Sequence, residues 1–124
     1  MTISNAIEKF DAYRPNSIPL ETKLEWLDTV ESTLFLEVIY THENPKALAF
    51  SHILPDTDPN TELLVTSPFS DIYLHFLAMM SDLYFGDLAR YNNDLLLYSN
   101  SFTNYAKHIN KKHLPNKNTS YFKV

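Results

Sequence analysis

The chain lacks cysteine altogether and has one glycine, Gly86, in 124 residues. Without cysteine there is no disulfide, no CxxC redox pair and no thiolate-held zinc. One glycine excludes the phosphate cradles and dinucleotide fingerprints, which need several where backbone must approach a ligand closely. Also missing is any apolar run near the roughly 18 residues that a membrane span requires. The opening Met1-Thr2-Ile3-Ser4-Asn5 has neither the basic stretch nor the apolar core of a leader. The expectation is a soluble, unprocessed chain with no membrane partner.

Acid is absent from the last part of the sequence. All fifteen carboxylates lie between Glu8 and Asp94, against five basic residues, a net of −10; from Leu95 onward five lysines stand with no acid, a net of +5. Lysines favour the C-terminal turn of a helix, where the peptide dipole is negative. An acid-free basic stretch also fits contact with an acidic partner, a nucleic-acid backbone, or the acidic body of another copy. The composition leaves both readings open.

What is present is apolar and aromatic. A 44% hydrophobic fraction with eight Phe, eight Tyr and Trp26 is ample for a core. Ile3, Ala6, Ile7, Phe10 and Tyr13 form a helical stripe behind a Thr2 cap, broken at Arg14-Pro15. Pro19 opens a second helix to about residue 41, carried by Leu20, Leu24, Leu27, Leu34 and Val38. Its later turns are weakened by the β-branched Val30, Thr33, Val38 and Ile39. Three prolines punctuate residues 42–66, which suits an extended arm or a β-hairpin. Ser67-Pro68 reads as a cap and first turn of a third helix, ending at Gly86 where a left-handed residue is needed. Its apolar face is Ile72, Phe76, Met79, Met80 and Leu83, widened by Leu77 and Tyr84. The last helix is the longest. Leu88, Tyr91, Leu95, Tyr98, Phe102, Tyr105 and Ile109 alternate steps of three and four, a seam at the heptad period over roughly 25 residues. Leu114-Pro115 ends it.

The expected fold is therefore mainly α: a small helical bundle with a long antiparallel C-terminal helix hairpin and an extended or β-hairpin arm. Residues 1–115 form one helical domain, and 116–124 a flexible tail.

Candidate chemistry is sparse. His108 and His113 are five apart, off a common helical face, and there is no HExxH pair. Asp71 and His75 are four apart and suit a surface ion pair or cap. Glu21, Glu25 and Asp28 line one side of the second helix, with Glu31 and Glu37 beyond, and read as a solvated acidic face able to receive a basic neighbour. Asn92 and Asn93 flank Tyr91 in a helix interior, where asparagine is unusual; beside a seam such a residue can fix register, and facing solvent it does nothing. Lys107, Lys111, Lys112, Lys117 and Lys123 interleave with Tyr121 and Phe122, giving charge contact with little sequence reading. No nucleophile elbow is visible. The candidate set is thus one of contacts rather than catalysis: Glu25, Glu31, Tyr91, Asn92, Asn93, Lys107, Lys111, Lys112, His113 and Lys117, with no catalytic, cofactor or metal residue.

Four stretches carry a resemblance spanning roughly residues 3–115. They are Lys23-Leu24-Glu25-Trp26-Leu27; Thr61-Glu62-Leu63-Leu64-Val65 ahead of Ser67-Pro68-Phe69; Tyr91-Asn92-Asn93 after Gly86; and Tyr105-Ala106 through to His113-Leu114-Pro115. In this order and spacing the chain resembles small prophage-encoded proteins from tailed phages of Gram-positive bacteria, a family taken as head–tail connector or head-completion proteins. The resemblance implies a non-enzymatic virion assembly subunit without a cofactor. Copies would form a ring below the portal protein, meet a tail or neck protein, and pass double-stranded DNA without reading it. It implies a place in the virion neck, and in the host cytoplasm during assembly. Another neck or tail-completion protein is the nearest alternative, and a small metal-dependent hydrolase or nuclease the alternative from a different class.

Overall fold

A computed structural model describes residues 1–39 and 50–112, with only the backbone of Lys112. It is mainly α-helical. Helix α1 spans Ile3–Tyr13 and α2 spans Leu20–Leu34, running on into a π-helical turn at Phe35–Ile39. Helix α3 covers Asp71–Phe85 and α4 covers Leu88–Lys112. Among the described residues there is no strand, and the one bridge pairs Thr2 with Glu62.

Local chemistry explains these limits. The Thr2 hydroxyl accepts from the Asn5 N–H at 3.0 Å while the Asn5 side chain accepts from the Thr2 N–H at 3.2 Å, a reciprocal cap. The next free amides of α1 go elsewhere: Ile3 N–H donates to the Thr61 carbonyl and Ser4 N–H to the Pro59 carbonyl. Residues 59–61 thereby complete the helix start, and Leu63 N–H donates back to Met1 O. Helix α1 ends where Arg14 turns extended before Pro15, a residue that disfavours helix in its predecessor.

The second helix meets its expectation as far as Leu34. There it widens into π geometry along Phe35, Leu36, Glu37, Val38 and Ile39, with Phe35 and Val38 still buried. Helix α3 begins later than Ser67-Pro68 suggests. Phe69 N–H donates to Thr66 O at 2.9 Å, making a separate turn across a cis Ser67–Pro68 peptide, and the α-helix starts only at Asp71. At the other end Gly86 does what the sequence asks. It sits at φ 72°, its N–H donates to Leu83 O, and Asp87 N–H donates to Asp82 O at 2.8 Å. The Asp87 carboxylate then caps α4 by accepting from Arg90 N–H at 3.1 Å.

One core joins the elements. Ile3, Ala6, Ile7 and Phe10 from α1 meet Leu24, Leu27, Val30 and Leu34 from α2, and Ile72, Phe76, Leu77 and Met79 from α3. Phe76 of α3 meets Tyr98 of α4, and Phe69, just ahead of α3, meets Tyr105, so α4 packs on both α3 and the turn that precedes it. Fully buried Leu27 and Phe10 each contribute about 1.5–3 kcal/mol of burial. Residues 42–49 of the expected arm or hairpin lie outside the described residues. The described remainder, 50–66, is laid on the body, with Ile53, Leu63 and Val65 buried in the same core.

Candidate functional site

The polar groups that burial isolates form two networks, and both hold helices together. In the first, Arg14 at the end of α1 reaches into the α3–α4 pair. Its Nη1 donates to Asp82 Oδ1 at 2.7 Å and to the Ala78 carbonyl at 3.3 Å, and its Nη2 donates to Asp94 Oδ2 at 2.8 Å. Both carboxylates are almost wholly buried, with side chains 3% and 2% exposed. Two acids and one guanidinium leave an excess negative charge in a low-dielectric place. Burial, aided by the adjoining Asp94, pushes the Asp82 carboxyl up to about 7 in spite of Arg14. Asp82 Oδ2 accepts from no donor, and a proton retained by the acid pair fits both observations. Burial works against the Arg14 cation, but the Asp94 hydrogen bond and the two negative charges outweigh it.

In the second network Glu31 is the hub. The Tyr73 hydroxyl donates to Glu31 Oε1 at 2.5 Å, and Leu64 N–H donates to Oε2 at 3.0 Å. The Tyr73 oxygen in turn accepts from Val65 N–H at 2.8 Å. One glutamate thus ties α2, α3 and the 64–65 segment. Burial raises the Glu31 carboxyl above its ordinary value, and the two hydrogen bonds it accepts oppose that rise. Burial and the Glu31 charge likewise raise the Tyr73 phenol. A smaller cluster fixes the α1–α2 connection, where buried Lys23 donates to Asp11 at 2.8 Å and to Asn16 at 3.3 Å.

A raised carboxyl beside a second acid is a form that acid–base catalysis uses. Here one oxygen of each acid is held by Arg14 and both side chains are shut away from solvent, so no substrate atom can reach them. Among the described residues no three His, Asp or Glu side chains are placed to hold a metal ion, and no helix is long and apolar enough to cross a membrane.

The sequence candidates fall apart spatially. Glu25 is exposed on α2, in the groove beside Ile53 and Pro55. Glu31 is not on that solvated face at all; it is 5% exposed, because Tyr73 and the Leu64 amide draw it inward. Asp28 is also engaged, accepting from Ile53 N–H at 2.7 Å with His52 Nδ1 at 3.0 Å. Tyr91 is half-buried against the core, while Asn92 and Asn93 face solvent. Lys107 and Lys111 are exposed beside Asn104 and His108, whose ring stacks on Phe69 at 4.6 Å. Asp71 faces Lys9 at 3.7 Å. The Lys112 side chain, His113 and Lys117 lie outside the described residues.

Two corrections concern the helix faces. On α4, Leu88 is 65% exposed and Leu95 37%, although both stand on the heptad seam, whereas Asp94 is buried. On α3, Leu83 is 46% exposed and Asp82 takes the inner place. In both helices an acid paired with Arg14 occupies the inner place, and the leucine next to it in sequence, Leu83 or Leu95, is exposed. Arg14, Asp82, Asp94 and Tyr73 were absent from the sequence candidates. The available signal was an aspartate three residues after Met79 and another three after Tyr91, each at the step expected of an apolar face.

An apolar surface lies around the Gly86 turn, made by Leu83, Tyr84, Phe85 and Leu88, with Leu96 two turns further along α4. Tyr84 meets Trp26 edge-on at 5.9 Å and Phe85 at 5.0 Å. Exposed apolar groups gathered in one place are a usual mark of an interaction site. No family model, no curated protein and no solved structure matches the chain.

Proposed function

We propose that the chain is a virion assembly protein, a head–tail connector subunit that builds a ring joining the portal to the tail. The observation that carries this reading is the apolar surface at the Gly86 turn. Its buried charges are consumed by internal ties, and what it offers outward is Tyr84, Phe85, Leu88 and Leu96. That is surface for another protein, not for chemistry. The resemblance drawn from the four sequence stretches supplies the specific setting.

In this reading α3 and α4 are an antiparallel hairpin that presents the apolar turn to a neighbouring copy. A ring subunit meets its copy through two different surfaces. The exposed Glu25 and the Asn92–Asn93 face serve one neighbour, and Lys107 and Lys111 serve the other or the phosphate backbone of DNA in the channel. The chain acts in the virion neck, with portal and tail or neck proteins as partners, and needs no cofactor.

The test is to mix the purified protein with its portal and image the product by electron microscopy. Rings or added density beneath the portal are expected. A chain that forms no ring and adds no density there overturns the proposal.

A further inference from the structure

Between the start of α1, the first turns of α2 and the 53–59 segment lies an apolar cavity of about 210 Å³, with Ile3, Ile7, Leu20 and Leu24 in its walls. Sites for drug-sized ligands occupy about 300–1,000 Å³, so this one suits a single large side chain. Leu20 stands 56% exposed at its lip. A second, more open cavity adjoins it, shares Leu24, Ile53 and Pro55, and is edged by Glu21, Glu25 and Asp28. Neither wall contains lysine or arginine. No ion pair among the described residues engages Glu21 or Glu25. The two cavities make one groove, apolar at one end and acidic at the other.

Two stretches of the chain lie outside the described residues. Residues 40–49 carry Glu43 beside Lys46, a mixed sequence with no match to such a groove. Residues 113–124 carry Lys117, Lys123 and no acid, with Tyr121-Phe122 immediately before Lys123. We infer that this groove is the seat of the 113–124 segment of a second copy, an aromatic ring of Tyr121 or Phe122 entering the cavity at Leu20 and a lysine meeting Glu21 and Glu25. Aromatic insertion supplies apolar burial at low side-chain entropy, and the lysines set direction along the groove. A segment on one surface and a groove on another give the unlike pair of faces that a head-to-tail ring requires. The assignment rests on the assembly reading only in placing the segment in a separate copy.

The experiment uses a fluorescent peptide of residues 113–124 and the full chain carrying Tyr121→Ala and Phe122→Ala, so that its own segment does not compete. Saturable binding is expected. Leu20→Asp with Glu25→Lys, both at exposed positions, should weaken it about tenfold or more, with helicity unchanged by circular dichroism. Binding indifferent to those changes, or a scrambled peptide of equal charge binding as well, overturns the inference. In sedimentation the unaltered chain should associate with concentration, and Tyr121→Ala with Phe122→Ala should suppress this. An unaltered chain that blocks added peptide while staying monomeric places the segment on its own groove and overturns the second-copy assignment. Peptide binding without rings at the portal sinks the connector reading and leaves this one standing; rings without peptide binding do the reverse.

Discussion

From Tyr98 to Ile109, α4 turns Tyr98, Phe102, Tyr105 and Ile109 toward α3 and the core, as an amphipathic helix should. From Leu88 to Leu97 it exposes four leucines and buries an aspartate. Both halves belong to one continuous α-helix, so the difference arises from what each half meets. The later half meets the aromatic ring of Phe69 and the apolar wall of Phe76. The earlier half meets Arg14, a cation that must be answered. Tyr91 keeps its inward place there, and Asp94, paired with Arg14, is buried where the seam would have put Leu95. The cost is a set of leucines in solvent.

Several measurements would break or sharpen this contrast. Arg14→Ala should have the largest effect, because it strands two buried carboxylates; chemical denaturation should show a loss of about 3–5 kcal/mol. Replacing the whole cluster with Arg14→Met, Asp82→Leu and Asp94→Leu should restore most of that loss, since an apolar substitute needs no countercharge. If the triple variant is as weak as the single one, charge is not what holds the earlier half in place. In the later half Ile109→Ala should cost about 2 kcal/mol by loss of burial alone, and equally at pH 5 and pH 8.

The earlier half, by contrast, should respond to pH. Asp82 is raised in the fold to about 7, above its value in an unfolded chain, so its contribution is complete below about pH 4. That contribution is lost as pH rises toward and through 7, by at most about 1.4 kcal/mol per pH unit. Thermal melts across pH 4–8 should show this slope, and Asp82→Asn should flatten it. A slope that persists in Asp82→Asn moves the titration to another group. Smallest of all, Leu88→Ser should change stability by less than about 0.5 kcal/mol yet reduce self-association in sedimentation. A large stability loss there would mean the side chain is packed after all.

The helical character of the chain, the cap at Thr2, the stop at Gly86 and the length of the last helix were legible because each depends on neighbours in sequence. Thr2 needs only Asn5, and Gly86 needs only a left-handed turn. The inner faces of α3 and α4 were half legible. Tyr98, Phe102, Tyr105 and Ile109 follow their period, but Asp82 and Asp94 displace Leu83 and Leu95 because of an arginine 68 and 80 residues away. Glu31 escaped for a similar reason: its partners Tyr73 and Leu64 lie 42 and 33 residues on. The start of α3 slipped by three residues because Thr66 and Phe69 close their own turn first. Period and capping rules read local chemistry well, and a buried ion pair between distant segments is invisible to them.

The carbonyls of Pro59 and Thr61 that receive the Ser4 and Ile3 amides make those two amides an internal gauge. Their exchange with deuterated water reports one event, the departure of the 59–61 stretch from the first turn of α1. Protection factors at Ile3 and Ser4 that fall well before those at Phe10 would reveal a chain that opens along this edge first. Following them while partners are added would time that opening against docking, without altering a single residue.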